Sequence, residues 1–189
     1  MTENFETERL WVRLPRSDDA LRVAELMSEK QLPWNLARAP WPYTVDDAEN
    51  WIVRARTSFD EKTDFPFVVG TQEDGLIGAC GVVPIKDDIF ELGYWIGKPY
   101  WGRGYVTEAA RGVLDWAGRT LEIHKFISGH IKENAASGRV LIKLGFEPVG
   151  DTMHYVVSRD CEVCATRYVL GAPADLALES AALYKRPNT

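Results

Sequence analysis

A chain of 189 residues is the size of one domain, long enough to bury a sizeable core, and its hydrophobic share of 46% and charged share of 26% are those of an ordinary globular protein. The net charge of −6 excludes broad nucleic-acid binding, which needs clustered Lys and Arg, but leaves room for a local basic patch around an anionic cofactor and favours a cationic acceptor such as an amine. No apolar run approaches the length of a bilayer span, and the acidic start Met1-Thr2-Glu3-Asn4-Phe5-Glu6 lacks a signal-peptide pattern, so a cytosolic protein is expected.

Arg9 to Leu14 alternates well enough to be a first strand. Ser17, Asp18 and Asp19 open a helix that carries Ala20, Val23, Ala24 and Met27 on one face. The segment from Pro33-Trp34 to Trp41-Pro42-Tyr43 must be irregular. Thr44-Val45-Asp46-Asp47 then resembles a capping box, with Asp in place of Glu, for a helix striped by Ala48, Trp51, Ile52, Ala55 and Phe59. Phe65 to Val69 and Leu76 to Val83 form a hairpin across Gln72-Glu73-Asp74-Gly75, and Asp87-Asp88 turns the chain into the strand Ile89 to Ile96.

Helix 105–119 buries Val106, Ala109, Ala110, Val113, Leu114 and Ala117 and leaves Glu108, Arg111, Asp115 and Arg119 outside. A strand from His124 to Ile131, a helix from Asn134 to Leu144 with Gly145 at its C′ position, and strands at 146–149, 153–157 and 162–170 complete the order. The reading is one α+β domain over 1–171, a mixed, mostly antiparallel sheet of six to seven strands flanked by about four helices. Residues 172–189 are a tail of helical composition, expected to be peripheral.

Cys161-x-x-Cys164 has no second pair and no nearby His. Spacing three on a strand puts the two thiols on opposite faces, so no metal is expected. His124, His130 and His154 show no ligand spacing. Three cysteines, an odd number, give no complete disulfide framework.

The richest stretch is Tyr100-Trp101-Gly102-Arg103-Gly104-Tyr105-Val106-Thr107. Two glycines at the mouth of a helix let several N–H groups converge, and the positive end of the helix dipole suits a phosphate or pyrophosphate. A glycine-bearing loop before an ordinary helix is the plainer alternative. The Lys-Ser/Thr step of a P-loop is absent, and a dinucleotide fingerprint would need a third glycine and a parallel unit. Asn134 and Ser137 suit the N-cap and N3 of a helix, which is a sufficient role for both.

Gly93-Tyr94-Trp95-Ile96-Gly97, followed by Tyr100 to Ala109, resembles the acyl-CoA-binding motif of the GNAT N-acetyltransferase superfamily. Asn134-x-x-Ser137 with Lys143-Leu144-Gly145-Phe146 is similar to that superfamily's second motif. The branch most resembled is the Rim-type (RimJ/RimL-like) ribosomal-protein N-terminal alanine acetyltransferases, and the likeness spans roughly residues 7–171. Two departures stand out: Trp101 replaces a polar residue at the start of the loop pattern, and Val106 replaces a small one at its end.

The resemblance implies an acetyltransferase that uses acetyl-CoA (coenzyme A) as co-substrate, with an amine acceptor. A protein or peptide N-terminus leads, with a small amine (polyamine, amino acid or aminoglycoside) as alternative, and a non-catalytic acyl-CoA-binding module as a third reading. It implies that the amides of Gly102, Arg103, Gly104, Tyr105, Val106 and Thr107 hold the pyrophosphate, with Arg103 adding charge. Main chain at Trp95 and Ile96 would pair with the pantetheine arm, Asn134 would lie beside that arm, and Ser137 would lie near the sulfur and stabilise the leaving thiolate. Glu91 is the candidate base, with His154 or Tyr155 as weaker alternatives because the region His154-Tyr155-Val156-Val157, where some relatives in the branch place a glutamate, carries no carboxylate. Trp34, Trp41 and Tyr43 fall in the segment that walls the acceptor site. A monomer or homodimer without nucleic-acid or membrane partners is expected.

Overall fold

The computed structural model describes residues 3–180 and 184–185. Two short N-terminal strands, β1 (Asn4–Glu6) and β2 (Trp11–Arg13), lead into α1 (Ala20–Met27) and α2 (Val45–Glu61). The meander follows as β3 (Phe65–Thr71), β4 (Gly75–Lys86) and β5 (Ile89–Ile96), and then α3 (Tyr105–Thr120). Next come β6 (Lys125–Ile131), α4 (Ala135–Lys143), β7 (Glu147–Val156), β8 (Cys161–Leu170) and α5 (Ala174–Glu179).

The expected capping box is in place: Asp47 N–H donates to Thr44 Oγ1 at 3.2 Å while Thr44 N–H donates to Asp47 Oδ2 at 2.8 Å. The sheet has eight strands in the order β1-β2-β3-β4-β5-β6-β8-β7, above the six to seven expected. The extra strand is β1, whose three residues Asn4, Phe5 and Glu6 are too few to show an alternation and are fixed by pairing with β2. The separate strands expected at 146–149 and 153–157 are one, β7, carried past an irregularity at Pro148/Gly150 by Gly150 at φ 148°.

Every pairing is antiparallel except β5 with β6. That parallel ladder runs only from Ile89↔Lys125 to Glu91↔Ile127. Beyond it β6 pairs with β8 as far as Ile131↔Ala165, while β5 stays on β4 as far as Gly78↔Ile96. The two strands therefore part, and the sheet opens into a V whose apex lies at Glu91. Ser128 Oγ, buried at the apex, donates to the carbonyl of Leu92 at 2.9 Å.

Strand alternation sorts the side chains of β5 onto two faces. Phe90, Leu92 and Tyr94 face the helical layer of α3 and α4. There Phe59, Phe65, Phe67, Phe90 and Trp116 form a linked aromatic core with ring centroids 4.9–6.4 Å apart. Ile89 and Glu91 face the other way. A smaller cluster of Ile89, Ile127, Val169 and Ala177 lies on that side, and α5 covers it. The described part of the tail is thus packed on the sheet, with Ala177 fully buried. The helix expected to run on towards Tyr184 crosses 181–183, which lie outside the described residues.

Candidate active site

The loop before α3 presents main chain rather than side chains. Gly102 and Gly104 have φ of 77° and 81°, a conformation that costs other residues strain, and α3 has no side-chain cap. The N–H groups of Gly102 through Thr107 make no hydrogen bond among the described residues; the first recorded donor here is Glu108 N–H, to Gly104 O at 3.1 Å. A set of unsatisfied donors at a helix N-terminus fits a pyrophosphate. The Arg103 side chain lies with its guanidinium carbon 5.9 Å from the Tyr100 ring centroid.

The loop is tied from a direction sequence reading missed. Glu108, expected on the outer face of α3, accepts from Thr7 Oγ1 at 2.6 Å, Arg9 N–H at 2.7 Å and Arg9 Nε at 2.6 Å. Arg9 Nη1 donates to Arg103 O at 3.1 Å. Burial works against ionisation of Glu108, yet the bonds from Thr7 and Arg9 outweigh it and hold the carboxyl below its ordinary range. No periodicity links residue 9 to residue 108, so only the fold reveals the contact.

Inside the V, the main chain of β5 is sorted by the same alternation. Because Leu92 O meets Ser128 across the gap, the polar groups of Tyr94 and Ile96 also face it, and those of Gly93 and Trp95 face β4, so the pairing expected of Trp95 main chain with the pantetheine arm passes to Tyr94. Ile96 O is taken by Trp101 Nε1 at 2.6 Å, so Tyr94 N–H, Tyr94 O and Ile96 N–H are left to pair with an extended arm. The departure at Trp101 thus has a local use: its indole closes the end of β5.

On the α3/α4 face, Asn134 and Ser137 do form a cap, Ser137 N–H reaching Asn134 O at 3.0 Å and Asn134 Oδ1 at 3.4 Å. The Ser137 hydroxyl is 2.9 Å from Tyr94 Oη, which also lies 3.1 Å from Ser137 O. Burial above all raises the Tyr94 phenol well above its ordinary range, so it stays protonated as a donor. The Tyr94 side chain carries no role in the sequence reading; its parity with Leu92 on β5 is the available signal that it meets α4.

On the opposite face Glu91 is buried at the apex. Its Oε1 is 2.8 Å from Nη2 of the buried Arg167, and its Oε2 accepts from Tyr184 Oη at 2.6 Å. Arg167 also donates to Ala177 O at 3.0 Å and Ser180 Oγ at 2.8 Å. Two positions along the same face, Gly93 is exposed and nothing lies within 4 Å of where a Cβ would sit. The V is therefore open beside Glu91.

The weaker proton acceptors are placed differently. His154 stacks on Tyr184 with centroids 4.4 Å apart and planes at 10°, and burial, with the Arg167 charge, lowers its pKa to about 4. Tyr155 Oη bonds Asp160 at the β7–β8 turn. That turn packs on the irregular segment: Ser158 Oγ donates to Pro33 O at 2.9 Å, Arg159 Nε to Trp34 O at 2.8 Å, and Val157 N–H to Ala37 O at 3.0 Å. From that segment Arg38 reaches the Tyr184 ring, its guanidinium carbon 5.4 Å from the centroid.

Asp64, just before β3, was also missed. Its burial raises its carboxyl to about 6 against the opposing pulls of Phe65 N–H and Arg38. Cys161 is exposed and Cys164 half-buried, and no group of three His, Cys, Asp or Glu able to hold a metal ion occurs among the described residues. Among those residues no helix is long and apolar enough to cross a membrane.

The model of the acetyltransferase (GNAT) domain family matches residues 9–147. This chain belongs to that family. It is 30% identical over 148 residues to the probable N-acetyltransferase YjcK of Bacillus subtilis, covering 75% of this chain and 82% of that protein. It is 28% identical over 162 residues to the ribosomal protein uS5-alanine N-acetyltransferase of Escherichia coli, covering 80% of this chain and 81% of that one. A structure of RimL, a ribosomal L7/L12 α-N-protein acetyltransferase in complex with coenzyme A, shares the fold at TM-score 0.78 and 15% identity, over 90% of this chain and 100% of that one. The family makes the chain an N-acetyltransferase with acetyl-CoA as co-substrate, and RimJ/RimL-like proteins are among the relatives it resembles.

Proposed function

We propose that this acetyltransferase modifies the α-amine of a protein N-terminus. The observation that carries the reading is the two-faced V. A hydroxyl pair, Ser137 with Tyr94, lies on one face, and a carboxylate, Glu91, lies on the other beside an opening at Gly93. The names of the relatives supply the acceptor class: the Escherichia coli protein acts on the alanine of a ribosomal protein.

The bound co-substrate supplies an acetyl thioester, activated towards an amine. The amides of Gly102, Arg103, Gly104, Tyr105, Val106 and Thr107 hold its pyrophosphate, Tyr94 and Ile96 pair with its extended arm, and Asn134 orders the start of α4 beside that arm. An N–H of Tyr94 or Ile96 in the gap also suits the carbonyl oxygen, where negative charge grows during attack. The amine must be neutral to attack. Glu91 takes its proton, directly or through one water: a carboxylate has about four acceptor positions, and Arg167 and Tyr184 fill one on each oxygen. The one Tyr94 hydroxyl hydrogen serves Ser137 O and Ser137 Oγ; when it turns to Oγ, the serine hydrogen is directed towards the departing thiolate. A hydrogen bond suffices there, because a thiolate is a far weaker base than an alkoxide.

The three free cysteines, one of them exposed, fit a reducing compartment, and we place the reaction in the cytoplasm, where acetyl-CoA and ribosomal proteins meet. The test is release of coenzyme A thiol with a panel of peptides beginning with Ala or Ser, the same peptides blocked at the N-terminus, and a set of polyamines, amino acids and aminoglycosides. Turnover with free but not blocked peptides is expected. Turnover confined to small amines would replace the acceptor class, and silence across the panel with retained coenzyme A binding would favour a binding module.

A further inference from the structure

The tail carries a residue that no motif points to. Tyr184 lies against Glu91 and is held on several sides: stacked on His154 from β7 at 4.4 Å, near Arg38 from the irregular segment at 5.4 Å, and near Arg167 from β8 at 5.8 Å. These groups, with Asp64 behind Arg38, are the charged and titratable neighbours of the cluster. Arg167 also bonds α5 and Ser180, so one buried guanidinium links the tail to the carboxylate it serves. A phenol held by a ring stack and a 2.6 Å hydrogen bond cannot wander far from its acceptor.

We propose that Tyr184 is a positioning residue for the reaction, its hydroxyl fixing how the Glu91 carboxylate is presented to the proton it takes. The inference rests on Glu91 being the base. Arg167 grips Oε1 and Tyr184 grips Oε2, so the carboxylate cannot rotate about its last bond. Tyr184 Oη donates to an oxygen on which the accepted proton can land, so loss of that bond should show in the pH dependence of the reaction. Burial and the adjacent Glu91 charge push the Tyr184 phenol far above its ordinary range, so it remains a donor throughout. The opening at Gly93 makes this reading stronger than a plug: Tyr184 packs against His154 of β7, while Gly93, two positions along the Glu91 face, stays exposed.

The experiment is the pH dependence of kcat and of each KM for Tyr184→Phe, which keeps the ring and its stack. The acid limb of kcat should move to higher pH, with kcat falling about three- to tenfold at pH 6.5 and less at pH 8.5, and with KM for acetyl-CoA unchanged. A variant ending at Ser180 should change in the same direction. An unmoved limb in Tyr184→Phe would overturn the proposal, and so would a rise in kcat/KM for either variant, which would make the tail an inhibitor instead.

Glu91→Gln separates this from the base assignment, with Glu91→Asp as the second variant if the neutral residue beside Arg167 prevents folding. Loss of turnover and of the acid limb in Glu91→Gln, or a displaced limb in Glu91→Asp, supports the base. With the base so supported, an unmoved limb in Tyr184→Phe condemns the positioning role alone. Turnover with an unchanged limb in the Glu91 variants condemns the base and, with it, the role of Tyr184.

Discussion

The two ends of the V are built from different material. The coenzyme end is main chain: a run of six consecutive residues, 102–107, offers its N–H groups and asks only that Gly102 and Gly104 hold positive φ. The acceptor end is side chain: Glu91, His154 and Arg167 are buried, half-buried Tyr184 packs on them, and exposed Arg38 reaches the Tyr184 ring, five groups from five separated places. A main-chain site is local, and its design depends on backbone conformation. A side-chain site depends on every long-range contact that brings its members together, so it should fail through stability as readily as through chemistry.

That contrast is broken most forcefully at Arg167. Arg167→Ala leaves Glu91 buried without its cation, and about 3–5 kcal/mol of stability should be lost by denaturant unfolding. Replacing both partners by apolar residues of similar volume should restore most of it, at the cost of turnover. A double replacement as unstable as the single one would mean the pair matters for more than mutual compensation.

The coenzyme end should behave differently. Gly104→Val forces a β-branched residue to φ 81° and should weaken coenzyme A binding by about 1–3 kcal/mol, read by calorimetry. Its melting temperature should shift less than that of Arg167→Ala. Unchanged affinity would deny the loop its role.

Smaller still is Tyr94→Phe, which removes the partner of Ser137 without touching the cap. It should lower kcat roughly fivefold, the worth of about 1 kcal/mol, and leave the coenzyme A dissociation constant as it was. A change confined to binding would place Tyr94 in cofactor support alone.

The smallest effect concerns acid stability, where buried His154 and half-buried Asp64 pull in opposite directions. His154 is lowered to about 4 from an ordinary 6.5, so between those values the unfolded chain binds more protons, and stability is lost as the pH falls. Asp64 is raised to about 6 from 3.8, so in its window the folded chain binds more protons, and stability is lost as the pH rises. The two slopes offset between about 4 and 6 in the native chain. Asp64→Asn should expose a clear loss of stability on acidification, and His154→Phe the reverse slope. Identical pH profiles in all three proteins would refute the assignment.

The same division explains what could be read from the sequence. The meander, the capping box at Thr44 and the helix after Gly104 were legible because turn residues and periodicity act over a few positions. Ser137 was legible through its spacing from Asn134. The bonds of Glu108 to Thr7 and Arg9, of Tyr94 to Ser137 and of Tyr184 to Glu91 span 101, 99, 43 and 93 positions, and no local pattern encodes them. The packing of α5 was illegible for a related reason. Its six residues Ala174–Glu179 show a helix but not the strip of Ile89, Ile127 and Val169 that they cover.

In the proposed reaction the two faces of the V act on different atoms, Glu91 on the amine and Ser137 on the thiolate. The most direct test of that division measures kcat at saturating substrates beside the coenzyme A dissociation constant for Ser137→Ala and Glu91→Gln. Each variant should lose turnover by at least about tenfold while binding coenzyme A within about twofold of the native protein. A Ser137→Ala protein that loses only binding, or a Glu91→Gln protein that turns over as before, would contradict it.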